Sequence, residues 1–571
     1  MKDHLSTLAI RPEKELLLLC ARKEPDAAAI DRIQSLARQP LDWQGVATSA
    51  WDHRITPLLA CNLERICPEN IPAVWMQYLR EGAQQNLRRS LMLSGELLRI
   101  LDALEAAGIQ GIPYKGPTLA ALAYRNLALR EFSDLDLLLA HAEIERGQQV
   151  MRELGYEMHA PARVHSRSRE AVPGEYAYSR QHSCGQFLVE LHTEQTLRYF
   201  PKGLPMERLR EQLQFVAVGG RLVPTLGMDD LLNFLCVHGA KHFWNRLQWI
   251  ADGAELVDGG DADLSSVLER ANELGSRRML LLGLRLANEL LGADVPEPIL
   301  RECRAALALD SMAAQVREII FADQPVLPGV LQRMKFRAQM RESMAEGLRY
   351  GFRLATAPTE EDWSRAHLPG ALSPFYSLLR PFQLLETYGM GLRPRATADL
   401  APFVASPAAV ADRMLELAEV TEKDVVYDLG CGNGEILVAA AKRRGARCVG
   451  IEMDSARISD ARAAVRAARV ERRVTLIEGD VRDVDLNSAT VVTMYLTIPG
   501  NAKLRQQLYS QLRAGTRVVS RDWDMPGWRA ERVVEMEAMP GVRTTLFLWR
   551  MGSESAESAE AVDCEMERAN G

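Results

Sequence analysis

The sequence predicts a multi-domain chain in which a helix-rich α+β region precedes a doubly wound α/β domain. Three observations predict it. The 571 residues, 47% of them hydrophobic, suffice for several domain cores. Up to about residue 104, and again from 229 to about 391, apolar residues recur every three or four positions, with short apolar runs between these stretches. After about residue 403 the pattern becomes strand, glycine loop, helix and strand, repeated as a parallel sheet with crossover helices requires.

Leu93, Leu97, Ile100, Leu101 and Leu104 lie at helical spacing. Ile109 to Tyr114 is apolar and bounded by Gly108 and Gly116, so it reads as a first strand. A helix from Leu119 to Tyr124, a strand from Ser133 to Leu139, another helix and two more strands, the last over Phe187 to His192, complete a small mixed sheet. Helices return from Asp229, with proline joints at 325–328 and near Pro358, Pro369 and Pro374. This divides the chain into a first domain with helical flanks (1–390), a linker (391–402), the α/β domain (403–550) and a tail (551–571). The tail carries six acidic residues against the single Arg568 and has the composition of a disordered segment.

Composition excludes several classes. With 69 Lys+Arg against 76 Asp+Glu, the net charge of -7 leaves no basic excess to track a phosphate backbone, and bulk nucleic-acid binding is not expected. Nine scattered cysteines without a C-x-x-C pair argue against a disulfide framework or a zinc ribbon, and fit reduced thiols. The N-terminus carries Asp3 and only short apolar runs, unlike a signal peptide, and no stretch reaches the roughly 18 apolar residues of a membrane span. A cytoplasmic protein is expected.

In the α/β domain, the apolar run from Val425 ends in Asp428 and is followed by Gly430, Gly432 and Gly434, then by a helical stretch from Glu435. Such a turn lets the backbone approach a ligand at the carboxyl edge of the sheet. Glu452 closes the next strand, 18 residues after Gly434, where a carboxylate can accept from both ribose hydroxyls. Asp480 closes a third strand, where it can accept from an adenine amino group. The G-x-G-x-G spacing favours a nucleoside without a pyrophosphate.

From about Ser406 to Arg550 this pattern resembles the class I S-adenosylmethionine-dependent methyltransferases, which have a Rossmann-like fold. The stretches Pro407 to Leu415, Val491 to Pro499 and Gly515 to Pro526 look like the seven-strand branch that includes protein lysine methyltransferases. The resemblance implies S-adenosylmethionine as cofactor, with Asp428 and Gly430 around its methionine end, Glu452 on the ribose, and Asp480 with Val481 at the adenine. All ten histidines precede residue 400, so no histidine base is available in this domain. An amine acceptor would lose its proton to Tyr495, to Asp522 or to water. The N-P-P-Y loop of amino-methylating nucleic-acid enzymes is absent, Thr493 to Gly500 standing in its place. The expected acceptor is therefore an amine or hydroxyl of a protein or small metabolite.

In the first domain, Asp134 and Asp136 are two apart on a strand and share a face. With Glu190 from a separate strand they form a carboxylate set able to hold Mg2+ ions that polarise a nucleotide's phosphates. Lys115 and Gly116 supply a turn upstream. The order Lys115-Gly116, Tyr124, Arg130, Ser133 to Asp136, Leu154 to Tyr156, Val189 to His192, Cys236 to His242 and Leu247 to Trp249 resembles an uncharacterised nucleotidyltransferase family of the polymerase-beta-like superfamily, with further pieces at Pro358 to Trp363 and Leu379 to Pro381. The resemblance implies Asp134, Asp136 and Glu190 as metal-binding and catalytic residues and Lys115, Gly116 and Arg130 on the nucleoside triphosphate. The superfamily's Gly-Ser is Gly116-Pro117 here, with Thr118 the nearby hydroxyl. His238 and His242, four apart without the glutamate of a metalloprotease motif, read as packing or pocket residues, with zinc as the alternative. The basic stretch from Arg333 to Arg353 reads as a solvated helix face.

Three readings of the whole follow: a methyltransferase fused to a metal-dependent nucleotidyltransferase, a monofunctional methyltransferase whose N-terminal half is an inactive substrate- or partner-binding scaffold, or a non-enzymatic interaction protein that retains both folds and binds no S-adenosylmethionine.

Overall fold

The computed structural model describes residues 10–158, 175–182, 185–193, 206–259, 262–322, 329–343, 345–347, 406–496, 498–525, 528–539 and 542–552. The chain divides into two compact units, the division falling between residues 347 and 406. The expected linker at 391–402, the tail beyond 552, the proline joints and the family pieces at 358–363 and 379–381 lie outside the described residues.

The first unit opens with helices Pro12–Cys20, Ala27–Ala37, Trp43–Asp52 and Thr56–Ile66. Asp26 and Asp42 cap two of them by accepting from the backbone N–H of Ala29 and Gly45. The following helix, Ala73–Ala106, has 34 residues and packs Leu93, Leu97, Ile100, Leu101 and Leu104 into the core of a five-stranded sheet. The strands are β1 (Ile112–Pro113), β2 (Asp134–Leu138), β3 (Glu157–Met158), β4 (Glu175–His182) and β5 (Gly185–His192), in the order β1-β2-β5-β4-β3.

β1 is antiparallel to β2, and β2 is parallel to β5, giving the mixed sheet the sequence predicts. β1 is shorter than expected because the Ile109 N–H is bonded back to Leu104 O at the helix end. The expected helix at Leu119 starts earlier, as Gly116–Leu119, and widens into a π turn over Ala120–Tyr124. A ribbon of β6 (Gln214–Val218) and β7 (Arg221–Thr225) leads to helices Met228–Lys241, Leu247–Asp258, Leu264–Leu274, Arg277–Leu291, Glu297–Ala305, Leu307–Phe321 and Val330–Gln339. The basic stretch from Arg333 is not a wholly solvated face, since Phe336, Met340 and Arg341 are buried.

The second unit is a seven-stranded sheet of β8 (Val425–Leu429), β9 (Arg447–Glu452), β10 (Val474–Glu478), β11 (Val491–Met494), β12 (Arg517–Arg521), β13 (Arg532–Met539) and β14 (Val542–Arg550). Its order is β10-β9-β8-β11-β12-β14-β13, with β8 to β12 parallel and the β13–β14 hairpin antiparallel. Successive residues face opposite sides: Val426, Val491, Val519 and Leu548 enter one core, and Tyr427, Val492, Val518 and Trp549 the other. Both faces are covered, as parallel strands require. The chain winds outward from β8 to β10, then returns across β8 to β11, which opens a crevice at the carboxyl ends of β8 and β11.

Candidate functional sites

In the first unit, the parallel register sets Asp136 beside Glu190 and Leu138 beside His192. Because alternate residues share a face, Asp134, Asp136, Glu190 and His192 emerge on one side of β2 and β5. Lys115 Nζ lies 3.2 Å from Asp136 Oδ1, and His192 Nε2 lies 3.1 Å from the same oxygen and 3.3 Å from Glu190 Oε2. Gly116, just after Lys115, has φ +56°, and a Cβ there would meet the Asp134 carbonyl oxygen at 3.4 Å, so the turn runs close against the carboxylate strand.

Burial alone would raise Asp136, but the Lys115 ammonium and the His192 hydrogen bond hold its carboxyl well below the usual carboxylate range. Asp134 moves the other way, raised by burial and by the neighbouring Asp136. His192 would be lowered by its burial, yet its hydrogen bonds to Asp136 and Glu190 raise it to about 9.

Of the expected set of Asp134, Asp136 and Glu190, the last two meet a third group, His192. The ligand atoms that converge, all within 4.8 Å of one another, belong to Asp136, Glu190 and His192. Two carboxylates and an imidazole fit a divalent cation. The signal for His192 was its place two residues after Glu190 on a strand. Arg130 is buried, and its Nε and Nη2 donate to Asp252 at 2.8 and 2.9 Å, so those donors are committed to the protein interior. Sequence reasoning missed Asp252, which shows no local motif. The His238 and His242 rings meet at 4.7 Å, tilted by 53°, beside Trp249. Burial lowers both, His242 to about 3, as packed neutral rings.

In the second unit, Gly430, Gly432 and Gly434 all have positive φ, forming the turn between β8 and the helix from Glu435. Gly432 N–H donates to Glu452 Oε2 at 2.9 Å, and the Met453 and Asp454 N–H groups donate to Oε1, each at 2.9 Å. Oε2 therefore retains a lone pair for a hydroxyl. Asp428 is buried and accepts from Thr493 Oγ1 at 2.8 Å. Burial raises its carboxyl to about 7, with Glu452 adding to the shift. A buried carboxyl with no cationic partner among the described residues fits the ammonium of a methionine moiety.

Asp480 holds Arg482, accepting from its backbone N–H and its guanidinium, while Val481 beside it is buried. Tyr495, just beyond β11, lies under the Arg521 guanidinium, 4.1 Å from the ring centroid. Burial raises its hydroxyl far above the ordinary tyrosine range, which disfavours it as a base and leaves the hydroxyl protonated, able to orient an amine. Asp522, at φ +61°, accepts from Thr544 Oγ1 at 2.5 Å and from the Thr545 N–H at 3.1 Å, which ties it into the sheet edge.

Comparisons with known proteins match the two parts of the chain separately. Residues 39–292 match the family described as uncharacterised nucleotidyltransferase, and residues 428–532 match the ANTKMT methyltransferase domain. A protein-lysine N-methyltransferase of Saccharolobus islandicus (strain REY15A) is 39% identical over 152 residues, covering 26% of this chain and 94% of that protein. A carboxy-S-adenosyl-L-methionine synthase of Aliivibrio salmonicida (strain LFI1238) is 33% identical over 98 residues, or 16% of this chain and 40% of that protein. A crystal structure of an RNA methyltransferase from Salinibacter ruber, in complex with S-adenosyl-L-homocysteine, shares 45% identity over 26% of this chain and 95% of its own, with a TM-score of 0.25. Among the described residues no helix is long and apolar enough to cross a membrane. The N-terminal half is similar to the uncharacterised nucleotidyltransferase family, and in its C-terminal part the chain belongs to the S-adenosylmethionine-dependent methyltransferases, the family of its protein-lysine N-methyltransferase relative.

Proposed function

We propose that the C-terminal domain, taken as residues 403–550, transfers a methyl group from S-adenosylmethionine to an amine of a protein, lysine being the side chain that offers one. The observation that supports this acceptor is the protein-lysine N-methyltransferase relative, matched along 94% of its length. When bound, S-adenosylmethionine supplies an activated methyl group on a sulfonium. Asp428 holds the amino-acid end, Glu452 takes a ribose hydroxyl at Oε2, and Asp480 with Val481 borders the base. The turn at Gly430, Gly432 and Gly434 brings backbone N–H groups close to the ligand. Aligning donor and acceptor is the main demand on the site. With Tyr495 held protonated and Asp522 tied to Thr544, the acceptor amine loses its proton to water before transfer.

The test is to incubate the full chain with labelled S-adenosylmethionine and a cell extract, then digest separately with protease and nuclease. Label released into peptides by protease supports a protein acceptor. Label that resists protease and disappears with nuclease would replace it with a nucleic acid.

For the N-terminal domain we propose metal-dependent nucleotidyl transfer, with Asp136 and Glu190 on a divalent ion, Asp134 beside them, and Lys115 and Gly116 toward the triphosphate. Mg2+ is the ion such chemistry ordinarily employs. The convergence of Asp136, Glu190 and His192 favours this over an inactive scaffold. A divalent ion plus a nucleoside triphosphate then stabilises the wild type but not Asp134→Asn/Asp136→Asn, by the linkage of binding to stability. Equal thermal shifts in both proteins would leave the domain as a scaffold.

A further inference from the structure

We propose that the N-terminal cluster selects a first-row transition ion over Mg2+, with His192 as a direct ligand and Lys115 as the ammonium that the ion displaces. This rests on the reading of that domain as a divalent-metal site and narrows it.

His192 is buried, and its Nε2 points between the two carboxylates, 3.1 Å from Asp136 Oδ1 and 3.3 Å from Glu190 Oε2. Its ring packs edge to face on Tyr114 at 5.8 Å, which holds the imidazole in that direction. The strands fix the rest: Glu190 and His192 are two apart on β5, and Asp136 pairs with Glu190 across the parallel register. Two ligand atoms on opposite sides of one ion lie about 4.4 Å apart at ordinary metal–ligand lengths. The three ligand atoms, all within 4.8 Å of one another, therefore need only small side-chain rotations.

The chemistry of the donors decides the ion. Mg2+ is a hard, octahedral ion that prefers oxygen and keeps several waters, whereas Co2+, Fe2+ and Zn2+ accept an imidazole nitrogen beside carboxylates, and Mn2+ tolerates one. A His in place of a third carboxylate thus lowers the relative affinity for Mg2+. Lys115 Nζ now lies 3.2 Å from the oxygen an ion would take, so a bound ion and the ammonium exclude one another there.

The experiment uses the full chain with Mn2+, Co2+ and Mg2+ as probes. Calorimetry should find Mn2+ at least about tenfold tighter than Mg2+, and Co2+ tighter still, following the usual order of first-row affinities. Pulsed EPR of bound Mn2+ should show coupling to a 14N nucleus. His192→Gln should abolish that coupling and weaken Mn2+ by about 10–100-fold while leaving Mg2+ unchanged, and Lys115→Met should tighten Mn2+. The wild-type spectrum alone decides inner-sphere nitrogen, so a misfolded variant does not spoil the test. Equal Mn2+ and Mg2+ affinities with no nitrogen coupling would overturn the inference and leave the divalent-metal reading standing. Failure of every ion to bind both the wild type and Lys115→Met would overturn both.

Discussion

The backbone N–H of Gly432 donates to Glu452 Oε2 at 2.9 Å, joining the turn after β8 to the end of β9. One carboxylate so fixes the glycine turn, and in the proposed site the same oxygen takes a ribose hydroxyl. Glu452→Ala is expected to weaken S-adenosylmethionine by about 1.5–3 kcal/mol, the scale of a hydrogen bond to a charged group. Calorimetry at constant pH reads this, with circular dichroism confirming the fold. An unchanged affinity would reduce Glu452 to a tether for the turn.

Asp428 predicts a pH effect whose sign follows from its raised pKa of about 7. The folded protein holds this proton more tightly than the unfolded chain, so the stabilising contribution is complete below the ordinary aspartate range. It is lost as pH rises through 7, by at most about 1.4 kcal/mol per pH unit. Asp428→Asn should therefore raise the melting temperature of the ligand-free protein at pH 8 but not at pH 4. A bound ammonium requires the ionised carboxylate, so wild-type affinity for S-adenosylmethionine should rise up to tenfold per unit between about pH 6 and 7 and then level off. An affinity flat across that range would separate Asp428 from the amino-acid end.

Much of the second unit was legible because a parallel sheet repeats one pattern. Apolar strands ending in Asp428, Glu452 and Asp480 carry both their positions and their chemistry locally, and β8, β9 and β10 end at or within two residues of those acids. The first unit was legible where a strand alternation carried the information, as at Asp134 and Asp136. It was not legible where contacts are distant in sequence. Arg130 meets Asp252 across 122 positions, and nothing near either residue announces the other. His192 closes the Val189 to His192 run, but its role depends on the register between β2 and β5, which a single strand does not specify.

Tyr495 should prove dispensable as a base. Burial keeps its hydroxyl protonated at neutral pH, and its ring is covered by the Arg521 guanidinium. Tyr495→Phe is expected to keep kcat within about tenfold of wild type with an unshifted pH profile, whereas loss of a general base ordinarily reduces rate by about 10²–10⁴. A loss in that larger range, with the alkaline limb of the profile removed, would restore Tyr495 to the chemistry.

Arg130 and Asp252 provide a sharper separation of structure from substrate binding. Asp252 is fully buried, receives both Arg130 bonds, and also accepts from the Tyr124 hydroxyl at 2.9 Å. Removing one partner strands the other charge in the interior, so Arg130→Ala is expected to destabilise the N-terminal unit by about 3–5 kcal/mol. Replacing both charges with apolar residues of similar volume, as in Arg130→Met/Asp252→Leu, should recover most of that loss, because a buried pair and a packed apolar pair are close in free energy. Chemical denaturation followed by circular dichroism measures the stability, and S-adenosylmethionine affinity, expected unchanged, shows that the C-terminal unit remains folded. If Arg130 instead gripped a nucleotide, Arg130→Lys would leave stability near wild type and lower triphosphate affinity. The geometry predicts the reverse, since an ammonium cannot reproduce the paired bonds from Nε and Nη2 to the two oxygens of Asp252.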